Sequence, residues 1–437
     1  MREQVDVCII GGGVVGLFCA IEAIAAGKTV RVVDKTFIGA TRNNIGELMR
    51  QGHHPDFLPL VVYAQKRWQQ AADSLGVHLG LEARGSVYLA RATAELEALR
   101  QQVEADHAAG ANTRLIDDRA DLLSLLKVGD IGPDVLGGRL SEHDMAIDTG
   151  VAMDALRRVA ISQGVRLWGD DEVTEIIVDG HTVKGVRTRA GDECVAAETI
   201  IAAGVWSVRL LRQLDLHLPM RPARCHLVEV SPSRDVPHQL IAYATRSGDM
   251  IAKYLATGRV LMGYTGLHDQ AQATWFTRVD KPAVNTMLGT FGMLLPCYQH
   301  AAVRRMSTVS LSVTPDHKPY LGRPLNYNGL LLAIGFNGKS YAVAAGVARV
   351  LADLMANAAP QVDITPFSAE RFRAELPTPA PRDTLTTPAT SDDVPLVMPH
   401  AVVADTPPAA RAPHGTVNAG TGQPVSADMD IGQFISK

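Results

Sequence analysis

The sequence predicts an α/β protein in two interleaved parts. One is a parallel-sheet half assembled from separated segments; the other is an inserted α+β half built on a mixed or antiparallel sheet. Three observations carry the prediction. The chain opens on an apolar strand, DVCII, that runs into Gly11, Gly13 and Gly16, and the next strand, TVRVVDK, closes on Asp34. Its middle switches to β-branched runs broken by turn residues, as in DEVTEIIVDGHTVKGVRTRAGDECVAAETIIAAG and RCHLVEVS. The far end returns to an apolar strand, a glycine turn and an amphipathic helix in GLLLAIGFNGKSYAVAAGVARVLADLM.

The opening turn has the chemistry of a dinucleotide site. Gly11 permits a tight strand-to-helix turn, Gly13 lets the backbone approach a phosphate, and Gly16 lets helix and strand pack closely. The helix then starts at Val14 and Val15, where free N–H groups and the macrodipole favour an anion. Asp34, with Lys35 beside it, falls about 20 residues on, where a carboxylate accepts from an adenosine ribose. A glycine turn of purely structural use is the alternative. Strand, glycines, helix and acid in this order favour a Rossmann-like site.

At 437 residues and 46% hydrophobic content the chain has material for two or three domains with large cores. A formal charge of −4 and a pI near 6.4 provide no basic field, which argues against nucleic acid as a partner. Cys8, Cys19, Cys194, Cys225 and Cys297 are scattered without metal-ligand spacing, so neither a disulfide framework nor a metal is expected. The apolar N-terminus is taken up by the glycine motif rather than by a signal peptide, and no apolar run reaches about 18 residues. The expectation is a cytoplasmic protein with no spanning helix, and peripheral membrane attachment stays open.

In order along the chain, a polar link, FIGATRNNIGELMRQGHH, leads into an amphipathic helix from Phe57 to Leu75. ATAELEALRQQVEADHAAG is a charge-paired helix with a solvated face. After Asp148 come a helix (VAMDALRRVAISQG), a strand (VRLWG) and the β-branched hairpin with its DG turn. RCHLVEVS, MIAKYLAT and RVLMGYT then build the second sheet. From about Leu376 the chain turns dense in Pro, Ala, Thr and Asp without period, which predicts a disordered tail over 376–437. The alternative is that this tail wraps a partner subunit, with MDIGQFISK as its contact.

The glycine motif, GATRNNIG, TIIAAGVWS, TPDHKPYLG and GFNGKSYAVAAG occur in that order, and together they resemble the D-amino acid oxidase superfamily of FAD enzymes. The likeness is strongest to its glycine oxidase and sarcosine oxidase branch and the related amine and hydroxyproline dehydrogenases, over about residues 3 to 370. The resemblance implies a discontinuous FAD domain at 1–78, 141–220 and 303–372, and a substrate domain at 79–140 and 221–302 covering the flavin. It lays Thr41, Arg42 and Asn43 along the cofactor, lends Val173 to the adenine, and brings Ala203 and Gly204 close because bulk would collide there. Asn337, Gly338, Lys339 and Ser340 would point a helix N-terminus at the flavin, where reduction accumulates negative charge. Solvated-loop and surface-lysine readings stand beside these. Val309 and Asn43 occupy the positions where relatives carry a flavin-linking cysteine or histidine, so the FAD is expected to be non-covalent.

By the same resemblance the reaction is hydride transfer from a carbon bearing an amine to flavin N5, giving an imine that hydrolyses. The arginine that holds the substrate carboxylate in relatives is replaced by Leu311, and the corresponding lysine by Ala342. Arg50 becomes the expected carboxylate clamp, Tyr254 the active-site tyrosine and His53 a candidate base. Strand alternation sends Lys253 and Tyr254 to opposite faces, so only one of them meets the flavin. The expected substrate is an amino acid or secondary amine. A 2-hydroxy acid is one rival, and a flavin-bearing electron-transfer or scaffold subunit of a larger complex is another.

Overall fold

A computed structural model describes residues 1–36, 39–108, 110–245, 248–270 and 278–372. The segment 376–437, expected as a tail, lies outside the described residues.

β1 (Arg2–Ile10) lies at the centre of an eight-stranded sheet, because its Val7 to Ile10 stretch is apolar on both faces and finds cover on both. Parallel neighbours flank it: β2 (Val30–Val33) on one side, followed by Arg166–Trp168, and Glu193–Ile201 on the other, followed in part by Leu330–Ile334. The hairpin Val173–Asp179 and Thr182–Thr188 extends the sheet antiparallel beyond Glu193–Val195. The register pairs Ile10 with both Val33 and Ile201. Three strands therefore finish level, and the turns that follow open along one edge at their carboxyl ends.

α1 (Val14–Ala25) packs beneath that edge, with Val14, Leu17, Ala20 and Ala23 fully buried. The short strand β3 (Glu47–Leu48) pairs antiparallel with Met145–Ile147. α2 (Leu58–Ser74) and the closing helix Ser340–Met355 pack beside α1, close enough that a Cβ on Gly346 would lie 2.8 Å from the Ala64 Cβ. Trp68 joins all three. Its indole is 0% exposed, meets Phe18 edge-on at 4.6 Å, and donates to the Tyr341 carbonyl at 2.7 Å.

The second sheet also has eight strands, in the order Ala302–Val313, Arg221–Ser231, Val260–Gln270, Gly248–Tyr254, Leu240–Thr245, Ser86–Ala90, Gly137–Ser141 and Thr113–Ile116. All neighbours are antiparallel except Leu240–Thr245 with Ser86–Ala90, so the sheet is mixed. One face carries the helix Lys281–Leu294 over Val228, Met262 and Ala252; the other turns Leu227, Ile251 and Leu311 toward Ile45 and Met49 of the early loop. One boundary differs from the expectation. The strand Ala302–Val313, which the division at 303 assigned to the cofactor half, pairs along its length with Arg221–Ser231 in the second sheet. Arg221–Ser231 is long enough to pair with nearly all of this twelve-residue strand, whose inner end is buried.

Candidate functional site

Two cavities meet at Asn44, Leu311 and Gly338, which line both. The first runs along the carboxyl edge of the parallel sheet. Gly11 turns there with φ +110°, its N–H donating to the Val33 carbonyl at 2.9 Å, while Ala202 N–H donates to the Ile10 carbonyl at 2.9 Å. A Cβ on Gly11 would lie 2.4 Å from the Ala202 carbonyl oxygen, and one on Gly16 only 1.9 Å from the Gly11 oxygen. These two glycines are therefore packing requirements of the turn. Gly13 differs: a Cβ there would meet only the Thr41 side chain, its hydroxyl at 2.9 Å, and would otherwise project into the open cradle.

The cradle fits a dinucleotide. α1 begins at Gly13 with no side-chain cap, and Val14 N–H donates to Thr41 Oγ1 at 3.4 Å. The N–H groups that follow in its first turn are presented to a ligand. Asp34 accepts from Gly12 N at 2.7 Å and Thr36 N at 2.9 Å, which orients the carboxylate at the end of β2. Gly11, Gly13, Val14, Val15, Asp34, Lys35, Thr41, Val173, Ala203, Gly204, Gly338 and Ser340 line this cavity. Lys35 and Arg209 both pair with Glu172, at 3.6 and 2.9 Å, in a charged rim around Val173. Trp206 and Phe336, within TIIAAGVWS and GFNGKSYAVAAG, also line it, as does Ser310, which no motif announces.

Gly16 serves the helix–strand packing expected of it, and four residues expected along the cofactor, Arg42, Asn43, Asn337 and Lys339, do not line the first cavity. Arg42 turns outward into a two-pronged ion pair with Asp154, at 2.6 and 3.2 Å, and lines neither cavity. Asn337 adopts φ +55° and ties its own loop together, accepting from Thr314 N at 2.8 Å and donating to the Gly335 carbonyl at 2.7 Å. It faces the second cavity, as do Asn43 and Lys339.

The second cavity lies between the second sheet and the early loop, and it is lined by titratable groups. The Lys339 ammonium stands 3.7 Å from the Asp249 carboxylate, which also accepts from the Tyr88 hydroxyl at 2.9 Å. Burial raises the pKa of Glu47, with the Lys339 and Lys253 ammoniums pulling the other way. His53 Nε2 is 2.7 Å from the Met49 carbonyl, and burial, reinforced by the nearby Lys339 charge, pushes its pKa down to about 3. A neutral ring facing a carbonyl must donate from Nε2, so Nδ1 keeps its lone pair, and that atom is buried with no hydrogen-bond partner among the described residues. His317, at φ +55°, also lines the cavity, its pKa lowered mainly by burial.

Of the three residues expected to be catalytic, only His53 reaches the cavity. Arg50 lines neither cavity: its Nε donates to Gln65, which is itself fixed by a 2.6 Å bond to the Leu48 carbonyl, and its backbone N–H donates to Asp144 at 2.8 Å. The buried glutamine of α2 captures the guanidinium before it can turn inward. Tyr254 faces the other side of its strand, stacked on His238 at 4.5 Å and 9°. Asp249 and Ile251 line the cavity, and the alternation that selects them puts Lys253, not Tyr254, on that face. Lys253 donates to the Ile147 carbonyl at 2.9 Å, and burial pushes its pKa down to about 8.

Among the described residues no cluster of His, Cys, Asp or Glu could hold a metal, and no helix is long and apolar enough to cross a membrane. A family model, DAO, described as FAD dependent oxidoreductase, matches residues 6–354. D-amino acid dehydrogenase 1 of Mesorhizobium japonicum is 22% identical over 319 residues, 72% of this chain and 74% of that protein. An opine oxidase subunit of Rhizobium meliloti is 24% identical over 387 residues, 85% of this chain and 99% of that protein. Glycine oxidase from Geobacillus kaustophilus superposes with a TM-score of 0.75 at 22% identity, covering 84% of this chain and 99% of that one.

Proposed function

The chain belongs to the DAO family of FAD-dependent oxidoreductases, and from that premise we propose that its two cavities divide one reaction between them, cofactor in the first and substrate in the second. The enzyme oxidises an amine or amino acid with FAD as cofactor. The observation that carries the division is the seam at Asn44, Leu311 and Gly338, where the two cavities run together. Gly13 and the start of α1 receive the pyrophosphate, Asp34 the adenosine ribose, and Val173 the adenine. The closing helix, uncapped by any side chain at Lys339, directs its N-terminus at the seam, where anionic charge develops on reduction. The bound flavin supplies the two-electron acceptor. No nucleophile stands at Val309 or Asn43, which supports non-covalent binding, and flavin released into the supernatant on acid precipitation is the expected result.

In the second cavity Lys339 is the cation that meets the substrate carboxylate, taking the part expected of Arg50. Its ammonium is already oriented by Asp249, so a carboxylate entering the cavity finds a held charge rather than a free side chain. His53, neutral through the ordinary pH range, brings no competing positive charge. The apolar walls, Phe57, Leu227 and Ile251, exclude water from the reacting carbon. Anaerobic mixing of the holoenzyme with amino acids of both hands, secondary amines and 2-hydroxy acids tests the assignment. Bleaching of the flavin by members of the first two groups is expected; bleaching only by hydroxy acids, or by nothing, overturns it.

The match to an opine oxidase subunit over nearly the whole length of that protein favours a second reading, in which this chain works alongside a partner chain. Full turnover with an artificial acceptor by the isolated chain sets that reading aside. Failure of turnover despite normal flavin reduction supports it.

A further inference from the structure

Behind the wall of the second cavity stands a phenol that lines neither cavity. Tyr88 is 3% exposed, and strand register sets it in one row with Ala242 and Ile251. Its side chain therefore leaves the sheet on the face that Ile251 and, two residues earlier, Asp249 turn to the cavity. Its hydroxyl donates to Asp249 Oδ2 at 2.9 Å. The same oxygen stands 3.7 Å from the Lys339 ammonium, an ion pair longer than a hydrogen bond. A lysine and a carboxylate free to adjust close to about 2.8 Å. This pair stays open, and the phenol on its acid is itself held in place. Arg139, the cross-strand partner of Tyr88, sets its guanidinium 5.6 Å from the ring centroid and is fixed by Gln51 at 2.8 Å and Asp106 at 3.0 Å. Gly52, with φ +77°, leaves space for the hydroxyl, since a Cβ there would lie 2.2 Å from the phenol oxygen. Burial, reinforced by the Asp249 charge, raises the pKa of the phenol, so it remains a donor.

We propose that Tyr88 is a positioning residue for substrate binding: its hydroxyl holds Asp249 back from full contact with Lys339, which leaves the ammonium available to the cavity. This rests on the assignment of Lys339 as the cation that meets the substrate. Tyr88 touches no substrate and acts only through Asp249. Without the hydroxyl, Asp249 closes on Lys339 and competes with the incoming anionic group for the same charge. The loss of one such restraint weakens anion binding by about three- to tenfold.

A double-mutant cycle tests the route through Lys339. Isobutyrate, an unreactive carboxylate, is titrated into wild-type, Tyr88→Phe, Lys339→Met and doubly substituted holoenzymes and followed by perturbation of the flavin spectrum. Tyr88→Phe is expected to weaken isobutyrate binding about three- to tenfold, and to change it less than about twofold once Lys339 is already methionine. The limiting rate of flavin reduction by a saturating amino acid should stay within about twofold in Tyr88→Phe, so the loss falls on binding rather than on turnover. A merely structural role would persist in the Lys339→Met background and slow reduction as well. Unchanged isobutyrate affinity in Tyr88→Phe, or additive losses in the double variant, overturns the proposal. A Tyr88→Phe protein that binds no flavin makes the hydroxyl part of the scaffold, and that overturns it too. Failure of the underlying assignment has a different signature, since Lys339→Met alone would then bind isobutyrate as wild type does.

Discussion

The first cavity is made of backbone and the second of side chains. Along the first, Gly11, Gly13 and the start of α1 present main-chain atoms, and Asp34, Asp171 and the Glu172 rim add charge. Around the second, the working groups are Glu47, His53, Asp249, Lys339 and His317, drawn from three distant stretches of chain. A site of main-chain atoms tolerates almost no added bulk but is indifferent to most side chains nearby. A site of side chains depends on the rotamer and protonation state of each. The contrast matches their tasks, because the cofactor is constant across such enzymes while the substrate is what distinguishes one from another.

The largest effect expected from breaking this contrast is at Gly16. A Cβ there would overlap the Gly11 carbonyl oxygen at 1.9 Å, backbone against backbone, so Gly16→Ala should destabilise the protein by about 4 kcal/mol or more and yield little holoenzyme. Flavin content and a denaturant midpoint measure it; a stable, fully yellow variant would show that the cradle has slack. Next is Lys339→Met, expected to raise KM about 30- to 100-fold for substrates bearing a carboxylate and to leave amines without one within about twofold. Equal losses for both would move Lys339 from substrate to scaffold.

A smaller effect concerns pH. His53 stays neutral in the folded protein down to about pH 3, whereas the same imidazole takes up a proton near 6.5 once unfolded. Between those values the unfolded chain holds the extra proton, so His53 lowers stability as pH falls through that window and has no such effect above it. His53→Phe should flatten the dependence of the urea midpoint on pH between 7 and about 5. An unchanged slope would place the acid sensitivity elsewhere. The smallest effects are expected from Arg50→Ala and Tyr254→Phe, with KM and kcat within about twofold of wild type and a stability cost near 1 kcal/mol for the Gln65 bond that Arg50 loses. A tenfold rise in KM for Arg50→Ala would restore the arginine to the substrate side.

Much of the first cavity was legible from residue order. Strand, Gly11, Gly13, helix and Asp34 follow one another within one βαβ unit, and each is required by local backbone geometry. The parallel sheet, the hairpin and the closing strand and helix were legible for the same reason, through period and turn residues. The early loop was not. GATRNNIGELMRQGHH contains four polar or charged residues in a row, and spacing cannot tell which side chains of the loop turn inward; the structure sends Arg42 out to Asp154, Asn44 to the seam and Glu47 to the second cavity. Alternation did separate Lys253 from Tyr254. It could not say which of the two faces the cavity, since that depends on the register of Gly248–Tyr254 against its neighbours.

The sequence by itself determined the α/β class, the glycine turn that forms the cradle and the start of the closing helix, because glycine at a positive φ and a helix start are local properties of the backbone. The tertiary structure alone decided the substrate side. Gln65 captures Arg50, the strand register turns Tyr254 away, and β3 brings Glu47 to the cavity that Lys339 also lines. Side-chain direction in a loop is set by whichever distant partner satisfies its charge, and only the folded chain brings those partners within reach.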